Sequence, residues 1–217
     1  MKNKLTEIFQ RHDPGLMRAR QAAEARSMIR PTAGDRNIYR PDEDHHKSEL
    51  PLKPAAVLIP LVDHRDGMTV LLTKRAQHLK THSGQVSFPG GRCDPEDENA
   101  IATALRETEE EIGIDRSHIR ILGAMEDYET ITGFVVTPVV GIIRPGFKLN
   151  VDEGEVADAF ELPLDFVLDE KNHELQSRVW NDRKRYYYVL MNDKHNVWGA
   201  TAAMLVRFAH LVNGNHQ

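Results

Sequence analysis

The chain has 217 residues, 40% of them hydrophobic, which suits one globular domain of ordinary size with an extension. Its net charge of −5 comes with no basic stripe to neutralise a phosphate backbone, which argues against nucleic-acid binding. The single cysteine, Cys93, excludes an intrachain disulfide and suits a reducing, cytoplasmic setting.

The first residues contain lysines and early acids but no apolar run of signal-peptide or membrane-spanning length. Residues 1–52 read as an N-terminal arm and linker, and 53–217 as the main domain. In the arm, Leu5, Ile8 and Phe9 make one amphipathic turn, and residues 15–28 are good helix material ended by Pro31. Residues 32–51 are polar and read as a linker. Its His45 and His46 invite a metal, but adjacent histidines in a charged linker are more simply solvent-exposed. The core begins with two strand-like runs, 55–62 and 68–73, joined as a hairpin by a turn at Asp66-Gly67. Residues 86–88 form a short strand leading into Pro89-Gly90-Gly91. A helix is expected to start near Asp94-Pro95, with Asp94 as its cap, and to stop at Gly113. Along it Ile101, Leu105, Thr108 and Ile112 form the expected core stripe, beside the acidic face rather than overlapping it. Residues 119–125, 134–143, 157–162 and 185–191 read as strands and 197–212 as a closing helix. Strands mixed with two substantial helices give an α+β, α/β/α layered domain.

Arg106-Glu107-Thr108-Glu109-Glu110-Glu111 packs four carboxylates into the end of that helix. Glu107, Glu110 and Glu111 stand at i, i+3 and i+4, so they project from one side and repel unless a cation sits between them. Hard carboxylate oxygens suit Mg²⁺ or Mn²⁺, whose common task in a pocket is to hold a phosphate. An acidic helix face is also an ordinary solvated surface. The turn Phe88-Pro89-Gly90-Gly91 upstream favours the metal reading, because the glycines let backbone approach a ligand closely. Cys93 lies in the loop after that turn, where a small residue explains it better than a nucleophile with no histidine nearby in sequence.

These residues resemble the Nudix hydrolase box: Gly, five residues, Glu, seven residues, then Arg-Glu-apolar-x-Glu-Glu-x-Gly-apolar. Arg106, Glu107, Glu110, Glu111, Gly113 and Ile114 fall on the pattern, and Glu98 stands the required seven residues ahead of Arg106. Thr108 departs from it at an apolar position, and six residues rather than five separate Gly91 from Glu98. The run from Leu71 through Arg75, Lys80, Gly84 and Phe88 to Gly91 resembles the motif that precedes the box in coenzyme A pyrophosphatases, with Lys80 where that motif has Arg. Residues 137–141 and 197–202 also resemble that branch.

The resemblance implies a mixed sheet between helices and Mg²⁺- or Mn²⁺-dependent hydrolysis of the coenzyme A pyrophosphate to 4′-phosphopantetheine and adenosine 3′,5′-bisphosphate. Acyl or oxidised coenzyme A are further substrates on this reading. It implies a metal set of Glu107, Glu110, Glu111 and the Gly91 carbonyl, with Arg106 orienting a glutamate. Glu155, in the acidic loop 152–155, is the first candidate for general base. Arg75, Lys80, Gly84, Phe88, Gly90 and Gly91 are the candidate substrate contacts. Tyr128, Phe134 and Tyr186-Tyr187-Tyr188 are of a type that stacks on adenine, although aromatic residues in strands more often serve the core. Three rivals remain: a Nudix enzyme for ADP-ribose or NADH, a nucleotide sensor without turnover, and a purely structural protein. The expected partner is a small nucleotide, with neither nucleic acid nor membrane, and both termini are candidates for a homodimer interface.

Overall fold

The computed structural model describes residues 1–11, 33–35, 38, 51–180, 183–192 and 194–214. The expected helix at 15–28 and the pair His45 and His46 lie outside these residues. The chain begins with helix α1 (Lys2–Arg11) and the two-residue strand β1 (Ala33–Gly34). There follow β2 (Lys53–His64), β3 (Gly67–Arg75), β4 (Val86–Ser87), β5 (Gly90–Arg92) and α2 (Ala100–Ile112). Next come β6 (Ile119–Ala124), β7 (Tyr128–Glu129), β8 (Phe134–Ile143), β9 (Val156–Pro163) and α3 (Leu164–Leu168). The chain closes with β10 (Glu174–Trp180), β11 (Arg183–Met191), β12 (Asn196–Trp198) and α4 (Ala200–Asn213).

Nine strands form one mixed sheet. Its main path runs β1-β7-β8-β2-β3-β4, with β5 on β2, β6 on β8 and β9 on β3. The β2–β3 pair is the expected hairpin, antiparallel and closed by His64↔Gly67. β2 also runs parallel to β8 over ten residue pairs, so both strands are covered on two faces and read as nearly continuous apolar runs. On one face Ala100 and Ala104 of α2 pack on Ala56, Leu58 and Val139, and Ile112 packs with Val62 and Leu71. On the other face Leu5 and Phe9 of α1 and Leu205 and Phe208 of α4 share a core with Ile59 and Leu72. The result is the expected α/β/α sandwich. A separate three-stranded sheet, β10-β11-β12, packs against α4. Among the described residues no helix is long and apolar enough to cross a membrane.

Three local expectations need correction. The box helix starts at Ala100, not near Asp94: Asn99 is its cap, its side chain accepting from the Ile101 and Ala102 N–H groups. Asp94 and Asp97 instead close a turn ahead of it. The core stripe is Ala100, Thr103, Ala104, Thr108, Glu111 and Ile112, while Ile101 and Leu105 are only half-buried, so the acidic and apolar faces overlap at Glu111. Thr108 tolerates burial because its hydroxyl donates to the Ala104 carbonyl at 2.6 Å. Finally, Val197 lies in strand β12, and α4 begins only after Gly199, whose φ of 68° turns the chain.

Candidate active site

Strand β5 and helix α2 meet at two glycines, of which Gly91 leaves room for one carboxylate and Gly90 offers its N–H to another. A Cβ on Gly91 would lie 2.5 Å from Cδ and both oxygens of Glu107, so the missing side chain is the seat of that carboxylate. One turn further along α2, Glu111 is 3% exposed. Its Oε2 accepts from the Gly90 N–H at 3.3 Å, and its Oε1 lies 4.0 Å from Nη1 of Arg75 at the end of β3. Arg75 keeps a buried Nε with no hydrogen-bond partner among the described residues. The sequence therefore delivers two carboxylates, a strand edge and a guanidinium to one place.

Arg106 organises the outer side. Its guanidinium donates to both oxygens of Asp97, at 3.0 and 2.8 Å, to Glu107 at 2.9 Å, to Glu110 at 3.0 Å and to the Arg92 carbonyl at 3.1 Å. This hydrogen bonding holds the Asp97 carboxyl below the usual range and raises the Arg106 pKa, keeping it charged. Asp97 was missed by the sequence reading, which placed the first acidic box residue at Glu98. Glu98 is exposed. The available signal was spacing, since five residues separate Gly91 from Asp97.

The loop 150–155 is stitched to the end of α2 by Asn150 N–H to the Ile112 carbonyl and Asp152 N–H to the Glu111 carbonyl, both at 3.0 Å. It carries Glu155, whose charge raises the pKa of both Glu107 and Glu111. Burial is the larger cause in each case. It pushes Glu111 up to about 8, against the opposing pull of the Gly90 N–H and Arg75. Glu107 is raised by burial and lowered by Arg106. A carboxyl raised in the folded state binds a proton the unfolded chain has already lost, so chelator-treated protein should lose stability as pH rises from about 4.5 to 8. Urea unfolding in EDTA at pH 5.5 and pH 8 should show a loss of roughly 2–4 kcal/mol. Equal or greater stability at pH 8 would contradict this ordering of charges.

The three box glutamates do not converge. Glu110 is 60% exposed on its side chain and turned to Arg106. Among the described residues no three carboxylate, imidazole or thiol groups form a ready-made metal cage. The donor chemistry nonetheless fits a divalent cation. Two hard carboxylates face a strand edge, one buried with its charge incompletely offset, and the seat beside them exists only because residue 91 lacks a Cβ. The backbone of Gly91 is not in the left-handed region, so Gly91→Ala should fold and act only by displacing Glu107. A displacement near 1 Å costs on the order of 100-fold in turnover. Circular dichroism beside an activity assay separates that outcome from unfolding.

Of the other candidates, Gly84 turns the β3–β4 connection with φ 68°, and a Cβ there would meet the Gln77 amide at 2.7 Å. Lys80 is exposed in the same connection. Phe88 is 2% exposed in the main core, so it brings only its backbone to the turn. Tyr128 is buried and its hydroxyl donates to Asp35 at 2.7 Å, which removes it as a stacking platform. Tyr188 packs on the core, Tyr187 lies edge-on to Trp198, and the Tyr186 ring faces Lys184.

Residues 52–183 match the family model for the NUDIX domain. The chain is 42% identical over 164 residues to the uncharacterized Nudix hydrolase NudL of Yersinia enterocolitica, covering 73% of this chain and 81% of that one. It is 41% identical over 165 residues to NudL of Escherichia coli K12, covering 76% and 85%. The fold is shared with the solved structure of RenU, a Nudix hydrolase from M. smegmatis, at TM-score 0.52 and 16% identity over 76% of this chain and 88% of that one. With β5, α2 and their glutamates in the middle of the matched segment, the chain belongs to the Nudix family and is a Nudix hydrolase.

Proposed function

We propose that this Nudix hydrolase cleaves the diphosphate of coenzyme A, with acyl and oxidised coenzyme A as further substrates, to 4′-phosphopantetheine and adenosine 3′,5′-bisphosphate. The observation that carries the reading is the buried Glu111 carboxylate beside Arg75, because it ties the box to the upstream segment that resembles coenzyme A pyrophosphatases. The same reading assigns residues 53–217 to the hydrolase domain and 1–52 to an arm, in a cytoplasmic enzyme.

Glu107 and Glu111, joined by the Gly91 carbonyl and by Glu110, would hold Mg²⁺ or Mn²⁺. When bound, the cation neutralises diphosphate oxygens and lowers the pKa of a water molecule. Arg106 fixes the Glu107 carboxylate by its 2.9 Å hydrogen bond, so that group faces the substrate in one orientation. Arg75 adds a cationic fork at the inner end, with Nε still to be satisfied. Lys80 and the turn at Gly84 complete the substrate contacts. Glu155 is the base: its carboxylate takes the proton of the attacking water as the P–O bond to the leaving phosphate breaks.

Incubation with coenzyme A, ADP-ribose and NADH in parallel, with Mg²⁺ or Mn²⁺ and with chelator, tests this. Metal-dependent release of adenosine 3′,5′-bisphosphate is the expected result. Cleavage of ADP-ribose or NADH alone would replace the substrate, and cleavage of none would make the protein a nucleotide sensor.

A further inference from the structure

On the face of the sheet away from α2, the ring of Phe134 is approached by two cations. Lys53 Nζ lies 5.9 Å from its centroid and the Arg92 guanidinium carbon 5.8 Å. The sheet register brings them together: Lys53 pairs with Phe134 across β2 and β8, and Arg92 pairs with Ala55 across β5 and β2. Both cationic side chains are exposed and the ring is half-buried. Among the described residues, neither cation takes part in an ion pair with a carboxylate. Two like charges over one ring repel each other, and an anion between them would relieve the repulsion.

The cluster is fixed in place on both sides. The Phe134 N–H donates to the Thr130 hydroxyl at 3.1 Å, and the Lys53 N–H donates to the Gly133 carbonyl at 2.9 Å. Within the same turn, the Ile131 N–H donates to the Asp35 carboxylate at 2.8 Å. On the other side, the Arg92 carbonyl accepts from Arg106, the residue that also holds Glu107. Arg92 directly follows Gly91 on the three-residue strand β5, so its side chain leaves on the face opposite the Glu107 seat. A ligand whose diphosphate lies at Gly91 and bends around β5 therefore meets Arg92, Phe134 and Lys53 next.

We propose that Lys53, Arg92 and Phe134 form the subsite for the nucleoside half of the substrate, with the two cations binding a phosphate monoester on the ribose and the Phe134 ring lying against the base. A ribose phosphate carries close to two negative charges at neutral pH, and the Arg fork matches its oxygens. This assignment deepens the coenzyme A reading and rests on it for the identity of the substrate. It makes the monoester, rather than the diphosphate, the group that selects the nucleotide.

The test is direct binding of adenosine 3′,5′-bisphosphate and of adenosine 5′-monophosphate to the full chain by calorimetry, beside the hydrolysis assay. The bisphosphate should bind about tenfold or more tighter. Lys53→Gln with Arg92→Gln should erase that preference, each single change should erase part of it, and Phe134→Leu should weaken both ligands alike. Lys148→Gln, an exposed cation elsewhere, should leave the preference intact. Equal affinity for the two ligands in the unaltered protein, or a preference that survives the double change, overturns the subsite. Preference without coenzyme A cleavage would retain the subsite and remove the substrate reading; cleavage without preference would do the reverse.

Discussion

Glu111→Gln should lower turnover by about 10³-fold while making chelator-treated protein more stable at pH 8 and above. The two effects share one cause. Glu111 is buried, and the folded chain offsets its charge only with the Gly90 N–H and Arg75 at 4.0 Å. Glutamine keeps the shape and an acceptor for Gly90 but never ionises, so the cost of a buried charge disappears, worth about 3–4 kcal/mol in the fully ionised range. The same neutrality removes the negative charge that would attract a divalent cation. Thermal melts in EDTA at pH 8.5, paired with turnover at saturating Mn²⁺, check both halves. A variant that is active, or inactive because it is less stable, would separate Glu111 from the chemistry.

Arg106→Ala should damage both stability and activity. It strands Asp97, whose side chain is 6% exposed, and frees Glu107 and Glu110 from the guanidinium that holds them. Loss of so many charge-assisted bonds, one to a nearly buried carboxylate, costs about 2–4 kcal/mol. Turnover should fall about 100-fold because Glu107 loses its orientation. Arg106→Lys should recover little: one ammonium cannot reproduce the paired bonds to Asp97 and also reach Glu107, Glu110 and the Arg92 carbonyl. Denaturant unfolding and steady-state kinetics of both variants, with Asp97→Asn as the reciprocal change, test the hub. If Arg106→Lys matched the parent, charge alone would suffice and the fork geometry would be irrelevant.

The sheet was legible because strands buried on both faces are apolar throughout: residues 134–143 match β8 end to end. Strand β10 escaped notice because Glu174–Trp180 breaks polar/apolar alternation with the polar run Gln176-Ser177-Arg178, and its pairing with β11 is a tertiary fact. The start of α2 was misplaced because Asp94-Pro95 has the chemistry of a cap, yet the acids there serve a turn and Arg106 while Asn99 caps. The glutamates themselves could be read, since their spacing fixes the helix face. Their unequal burial could not: periodicity places Glu107, Glu110 and Glu111 together, and only the passage of β5 alongside α2 buries Glu111 and leaves Glu110 in solvent. The cation pair over Phe134 was equally invisible, because Lys53, Arg92 and Phe134 meet only through the register of three strands.

Titration of Mn²⁺ into the chelator-stripped protein, compared with Glu111→Gln and Glu107→Gln, tests the carboxylate centre most directly. The account predicts that Mn²⁺ binds the unaltered chain and that each substitution weakens it about tenfold or more. Mn²⁺ affinity unchanged in both variants would show that the carboxylates at Gly90 and Gly91 are not the cation centre.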